Sequence, residues 1–260
     1  MRPTPDRPRR VRHPLEFAGS ISKSAVGVVA AVALLAGGCG GDEPESAPQA
    51  PASDDQARTE VAALGDSIVA GSPLYDPDPE RRQALGFGDD ERSQLGYWAA
   101  LEDPQIAVRN CGVFGERTDE IAARLDECSE GADVLLLQGG INDIAQALGG
   151  GPDTAVSAAR NAVENIDETI AEGQQRGLDV VVANVLPWNN GHPVADPAIA
   201  VVNEGIADVA RRRDVPLLDF HAALEDPQNP GLMAPSLTDD GDHPSIKGYR
   251  ILGKLLAREL

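Results

Sequence analysis

The residue types needed for nucleophilic acyl transfer stand far apart in this chain. Ser67 lies in "ALGDSIVAG" (63–71), directly after the apolar run Val61-Ala62-Ala63-Leu64. Near the other end, "LTDDGDHPSIKGYRIL" (237–252) carries Asp240 and His243, three residues apart. That spacing on a turn lets a carboxylate reach Nδ1 of the imidazole while Nε2 faces outward, the arrangement that deprotonates a serine hydroxyl. Asp239 and Asp242 compete for the orienting role, and Asp242, adjacent to His243, is the poorer candidate for an in-plane bond. Gly-Asp-Ser is also ordinary turn vocabulary, because glycine allows unusual backbone angles and Asp and Ser bond their own backbone. Whether Ser67 is a nucleophile depends on what the rest of the chain brings to it.

From residue 60 onward, short apolar runs alternate with longer amphipathic ones. The runs 61–64, 106–109, 133–137, 179–183 and 215–218 have strand length, and several are apolar throughout, as strands buried on both faces are. Helix-like segments lie near 91–102, 116–127, 153–176, 196–213 and 245–259. Five strand-then-helix units predict an α/β fold, a parallel sheet covered by helices on both sides. Ligands sit beyond the carboxyl ends of such strands. Ser67 follows the first, and "NCGVFGE" (110–116), "QGGINDI" (138–144) and "NVLPWNN" (184–190) follow the next three, so the topology gathers these loops at one edge. Residues 72–95 form an unusually long insertion after Ser67, and Gly149-Gly150-Gly151 lacks the lysine and hydroxyl of a phosphate loop.

Taken together, "GDSIVAG", "NCGVFGE", "GIND" and "DGDHP" resemble, in order, the sequence blocks of the SGNH hydrolase, or GDSL-type esterase/lipase, family over roughly residues 60–256. The resemblance implies a three-layer α/β/α sandwich with a five-stranded parallel sheet, the flavodoxin-like SGNH hydrolase fold. It implies Ser67 as nucleophile, Asp240 and His243 as the other triad members, and an oxyanion hole formed by the Ser67 and Gly115 backbone N–H groups and the Asn142 side-chain amide. Chemistry asks for such groups independently, since a tetrahedral oxyanion needs several converging donors and glycine lets a backbone N–H come close. On its own, Asn142 also reads as a cap for the following helix, a task open to Asp143 instead. Trp188 and Asn189 fall where the wall of a substrate pocket should be, with loop packing as the alternative. His192 reads as rim and His221 as structural.

The chain of 260 residues, 42% hydrophobic, can hold one domain plus extensions. Its 22 Lys+Arg against 42 Asp+Glu give a formal charge of −20, which repels a phosphate backbone and argues against nucleic acid as a partner. Arg2, Arg7, Arg9, Arg10, Arg12 and Lys23 precede the uncharged stretch "SAVGVVAAVALLAGGCGG" (24–41), the pattern of an export signal. Its end, "LLAGGC", resembles the lipobox of bacterial lipoproteins, with Ala36 departing from the usual leucine and Cys39 as the residue that receives lipid. A plain secretory signal and a retained anchor are the alternatives. The organisation expected is a signal peptide at 1–38, an acidic Pro/Ala-rich tether at 39–59 and a hydrolase domain at 60–260, whose loss of 1–38 brings the formal charge to −24.

With Cys39 set aside, Cys111 and Cys128 remain, and outside the cytoplasm an even remainder favours a disulfide over two buried thiols. Neither has the spacing of a metal site, and no cofactor is implied. The function expected is an exported, membrane-anchored, monomeric serine hydrolase that cleaves small-molecule, lipid or glycan (thio)esters through an acyl-Ser67 intermediate. The alternatives are an O-acetylesterase or acyltransferase acting on cell-envelope glycans, and a surface lipoprotein that only binds.

Overall fold

In each central strand, alternate residues bury on opposite faces, which is what a sheet with helices on both sides requires. The computed structural model describes residues 58–260; the signal, most of the tether and Cys39 lie outside the described residues. Five strands, β1 (Thr59–Gly65), β2 (Ile106–Gly112), β3 (Val134–Gln138), β4 (Asp179–Ala183) and β5 (Leu217–Leu218), pair in parallel in the order β2-β1-β3-β4-β5. This is the flavodoxin-like order, and its switch point lies between β1 and β3.

Among the described residues, ten α-helices accompany the sheet: α1 (Ser67–Ala70), α2 (Pro79–Leu85), α3 (Leu95–Glu102), α4 (Thr118–Ala122), α5 (Leu125–Ser129), α6 (Ile141–Ala147), α7 (Pro152–Gln175), α8 (Asp196–Arg213), α9 (Phe220–Leu224) and α10 (Ile246–Glu259). Ala62, Leu64, Leu135, Leu137, Val180 and Val182 pack against Ile121 of α4 and the apolar faces of α7 and α8. Val61, Ala63, Val134, Leu136, Val181 and Ala183 pack on the other face against α3, α9 and α10. Tyr249, Leu252 and Leu256 recur at helical spacing along α10 and are fully buried. Each of these two leucines contributes about 1.5–3 kcal/mol on leaving water.

The structure differs from the expected elements chiefly in the connections between the long strands and helices. The helix expected over 116–127 is broken into α4 and α5, because Arg124 leaves helical geometry (φ −102°, ψ 5°) and donates to the carbonyls of Cys111 and Gly65 and to Glu116. The helix expected from residue 91 begins at Leu95, since Gln94 is extended after a 3-10 turn at Glu91–Ser93. The insertion 72–95 is partly helical: Pro79 opens α2 and Asp78 caps it through the N–H groups of Glu80 and Arg81. After α9 the chain forms an antiparallel hairpin of β6 (Glu225–Asp226) and β7 (Asn229–Met233). The Cys111–Cys128 bridge is formed, with Cα atoms 6.0 Å apart, and ties the end of β2 to α5.

Candidate active site

Ser67 is the first residue of α1, on the tight turn that leaves β1 at the switch point. Asp66 caps that helix by accepting the Ile68 N–H at 2.9 Å. Asp66 is fully buried, and burial, against hydrogen bonds from Ile68 and Gln138, pushes its pKa up to about 7, with the nearby charges of Asp143 and Glu116 adding to the rise. The Ser67 N–H, at the start of the helix, has no intrahelical partner.

From the far end of the chain, the loop before α10 delivers the imidazole. His243 Nε2 lies 3.1 Å from Ser67 Oγ, and its Nδ1 lies 2.8 Å from Asp240 Oδ2. Asp240 Oδ1 accepts the backbone N–H groups of Asp242 and His243, both at 2.8 Å. Burial works against the Asp240 charge, but the bonds from His243 and Asp242 outweigh it and hold the carboxyl below its ordinary value. An ionised carboxylate only accepts, so Nδ1 carries the proton and the Nε2 lone pair faces the serine hydroxyl. That is the geometry in which an imidazole takes a hydroxyl proton. The loop is braced by Thr238 Oγ1, which donates to the His243 carbonyl and accepts from Gly241.

The neighbouring acids do other things. Asp242 Oδ1 accepts from Trp188 Nε1 at 2.5 Å and from Asn190 Nδ2 at 2.8 Å. Asp239 is exposed.

Gly115 sits in the loop after β2 at φ +83°, a left-handed conformation that a side chain would strain, and its N–H has no partner among the described residues. Asn142 is the second residue of α6, and its Nδ2 donates to the Glu116 carbonyl at 2.9 Å, which fixes the amide and leaves one hydrogen free. Gln146 Nε2 donates to the Gly115 carbonyl at 3.2 Å, so the two loops are bonded to each other. Neither Asn142 nor Asp143 caps α6, whose N-cap position is Gly140. Asp143 instead accepts the Thr118 N–H and hydroxyl at 3.0 and 2.8 Å, pinning the start of α4; burial raises its pKa against those bonds.

Trp188 closes a narrow cleft of about 10 Å³ whose other walls include Ile68, Ile141, Val185, Leu186 and Pro187. Ile68, Ile141 and Asp242 are the sequence neighbours of Ser67, Asn142 and His243. Asn189 turns away to β7, where its amide exchanges bonds with the Met233 backbone at 2.6 and 3.2 Å. His192 pairs with Asp196 at 2.8 Å, and His221 Nδ1 lies 3.0 Å from the Val185 carbonyl; neither reaches Ser67. Among the described residues, no group of three His, Cys, Asp or Glu side chains is placed to hold a metal ion.

Two aromatic residues at the site escape the sequence reading. The Phe114 ring lies 6.2 Å from the His243 ring, and Phe87, from the inserted segment, meets Phe114 edge-on at 5.1 Å. A phenylalanine within the short loop "NCGVFGE" was the available signal for the first; nothing local marks the second.

Residues 63–251 match the model of the GDSL-like lipase/acylhydrolase family. No curated protein matches the sequence significantly. Among solved structures, a protein of the lipolytic G-D-S-L family from Desulfitobacterium hafniense is 20% identical, covering 78% of this chain and 100% of its own, with a TM-score of 0.62. A lipase/acylhydrolase from Enterococcus faecalis is 23% identical over 78% and 94%, with a TM-score of 0.58. A variant of an acetyl xylan esterase from Geobacillus stearothermophilus is 18% identical over 77% and 94%, also with a TM-score of 0.58. At these identities the likeness is one of fold, and it is the family match over most of the chain that carries the assignment. The chain belongs to the GDSL-like lipase/acylhydrolase family and is a GDSL-type esterase.

Proposed function

We propose that this esterase removes small acyl groups, acetyl first among them, through an acyl-enzyme on Ser67. The observation that carries the reading is the unbroken chain Ser67 Oγ to His243 Nε2 and His243 Nδ1 to Asp240 Oδ2. Ser67 Oγ attacks the ester carbonyl as Nε2 takes its proton. The oxyanion that forms takes hydrogen bonds from the Ser67 and Gly115 N–H groups and from Asn142 Nδ2, and losing one such donor costs about 2.7–4 kcal/mol of transition-state stabilisation. The imidazolium, steadied by Asp240, gives its proton to the departing alkoxide oxygen. Water then repeats the sequence on the acyl-serine and restores the hydroxyl.

The preference for acetyl rests on the cleft under Trp188. Its volume of about 10 Å³ has room for roughly one water molecule, which is also about the size of an acetyl methyl group. The acetyl xylan esterase among the structural neighbours acts, by its name, on an ester of this kind.

On the same reading the protein works outside the cytoplasm. The leader 1–38 is cleaved, lipid on Cys39 holds the protein to the membrane, and residues 39–59 tether a monomeric domain. The support is the basic leader, the apolar run that follows it and the cysteine at its end. Fluorophosphonate labelling tests the chemistry: the label should appear on the peptide containing Ser67 and be absent from Ser67→Ala, and a protein that hydrolyses esters while labelled elsewhere overturns the assignment. Membrane fractionation of Cys39→Ser tests the anchor, with release or arrested maturation expected and unchanged partitioning against it.

A further inference from the structure

The two flanks of Ser67 are unlike. Toward β4 lies the closed cleft under Trp188, while toward β2 the surface is open and carries two aromatic rings. Phe114 is 41% exposed, and its ring is inclined by 31° to that of His243. Phe87 stands at 74° to Phe114 and is half-buried.

The inserted segment that carries Phe87 is firmly held. The Phe87 N–H donates to the Arg82 carbonyl at 2.9 Å and the Gly88 N–H to the Pro73 carbonyl at 3.0 Å. The Arg82 guanidinium donates to the Asp76 carbonyl at 3.0 Å and lies 5.0 Å from the centre of the Tyr75 ring. Asp76, fully buried, accepts from Arg81 at 2.9 Å. A well-anchored loop thus presents an apolar edge to solvent beside the catalytic imidazole.

We propose that Phe114 and Phe87 form the platform for the alcohol portion of the ester, and that this portion is an uncharged sugar ring. The inference rests on the esterase mechanism at Ser67. An ester bound there is divided into an acyl and an alkoxy fragment, and the closed cleft takes only the smaller. The alkoxy oxygen must receive its proton from His243 Nε2, so the alcohol leaves past that imidazole, the group against which Phe114 packs.

The shape and wetness of the platform indicate a sugar. A pyranose ring offers an apolar face of polarised C–H groups, which the negative face of an aromatic ring attracts. Its hydroxyl edges stay in water over a half-exposed platform, so none needs a buried partner. The formal charge of −20 disfavours sugars that carry carboxylate or phosphate.

The test compares kcat/KM for three acetates with the full chain: methyl xylopyranoside triacetate, hexyl acetate and ethyl acetate. Phe114→Ala and Phe87→Ala should each lower the ratio of glycoside to ethyl acetate about fivefold or more, chiefly through KM. Phe114→Trp and Phe87→Tyr should restore most of that ratio. An unchanged ratio in both alanine variants, with fluorophosphonate labelling intact, overturns the platform and leaves the esterase reading standing. If the variants lose hexyl acetate as severely as the glycoside, the assignment to sugar is overturned. If Phe114→Ala loses its folded circular dichroism, Phe87→Ala decides alone, since that ring does not contact His243. A wild-type protein that takes no label and cleaves none of the acetates overturns the mechanism beneath the proposal.

Discussion

If the cleft under Trp188 limits the acyl group as proposed, replacing Trp188 by alanine should widen the acceptance from acetyl to longer acyl chains. The indole is held from two sides: Nε1 donates to Asp242 Oδ1 at 2.5 Å, and Gly191 lies so close that a Cβ there would stand 2.1 Å from Trp188 Cε3. Behind it are the apolar side chains of Ile68, Ile141, Val185 and Leu186, to which a longer acyl chain gains access once the ring is gone. In the wild type, a methylene that does not fit costs about 1–3 kcal/mol, so propionate should already be at least about tenfold poorer than acetate. In the variant, each of the two extra methylenes of butyrate recovers about 0.8 kcal/mol on burial, roughly 15-fold together. The butyrate-to-acetate ratio of kcat/KM should therefore rise by about two orders of magnitude. A panel of p-nitrophenyl acetate, propionate, butyrate and hexanoate measures it. Trp188→Phe, which keeps much of the volume but not the N–H, should stay closer to the wild type if filling matters more than the bond to Asp242. A wild type that accepts butyrate as readily as acetate, or a Trp188→Ala profile parallel to it, refutes the reasoning.

Other outcomes follow from particular side chains. Asp240→Asn should lower kcat by roughly 10⁴ through loss of tautomer control and of the charge behind the imidazolium, whereas Asp242→Asn, whose oxygen still accepts from Trp188, should cost far less; equal losses in steady-state assays would disprove the Asp240–His243 pairing. Asp66 has a pKa of about 7 when folded against 3.8 for the free side chain, so the folded state holds its proton more tightly. Its stabilising contribution is full below about pH 3.8 and fades as the pH rises to about 7, by an upper limit of about 4 kcal/mol. Asp66→Asn, which keeps an oxygen for the Ile68 N–H, should gain on the wild type over that window in thermal unfolding; a difference independent of pH would contradict the burial argument. Reducing the Cys111–Cys128 bridge should cost about 3 kcal/mol of stability, and an unfolding midpoint insensitive to a reductant would show that the bridge contributes nothing.

The long elements are legible in the sequence because each carries its own period. Strands β1, β3 and β4 are apolar on both faces, and α7, α8 and α10 run long enough for a buried stripe to repeat. The short helices α1, α2, α6 and α9 and the β6–β7 hairpin have too few residues for any period, and they exist because a cap or a neighbouring loop holds them. The sequence also places Ser67 and the Asp240–His243 pair at loop positions where they can meet, since a strand end and a three-residue spacing are local features. What it cannot convey is made across distance in the chain: the bond from Trp188 to Asp242, the grip of Asp143 on Thr118, and the contact of Phe87 with Phe114. Asn189 shows the same limit, for its position is that of a pocket wall while its amide is taken by Met233.

The turn from Asp240 to His243 serves two masters. On the proposed mechanism His243 moves the proton while Asp240 orients it, and Asp242 between them bonds Trp188, the wall proposed to limit the acyl group. Divergence toward longer acyl chains by altering that anchor therefore disturbs the turn that sets the rate, and such lineages should acquire compensating changes at Asn190 or Thr238. The aromatic flank hangs on separate loops and carries no such debt. Among descendants of this scaffold, the alcohol accepted should drift readily while the acyl preference stays put.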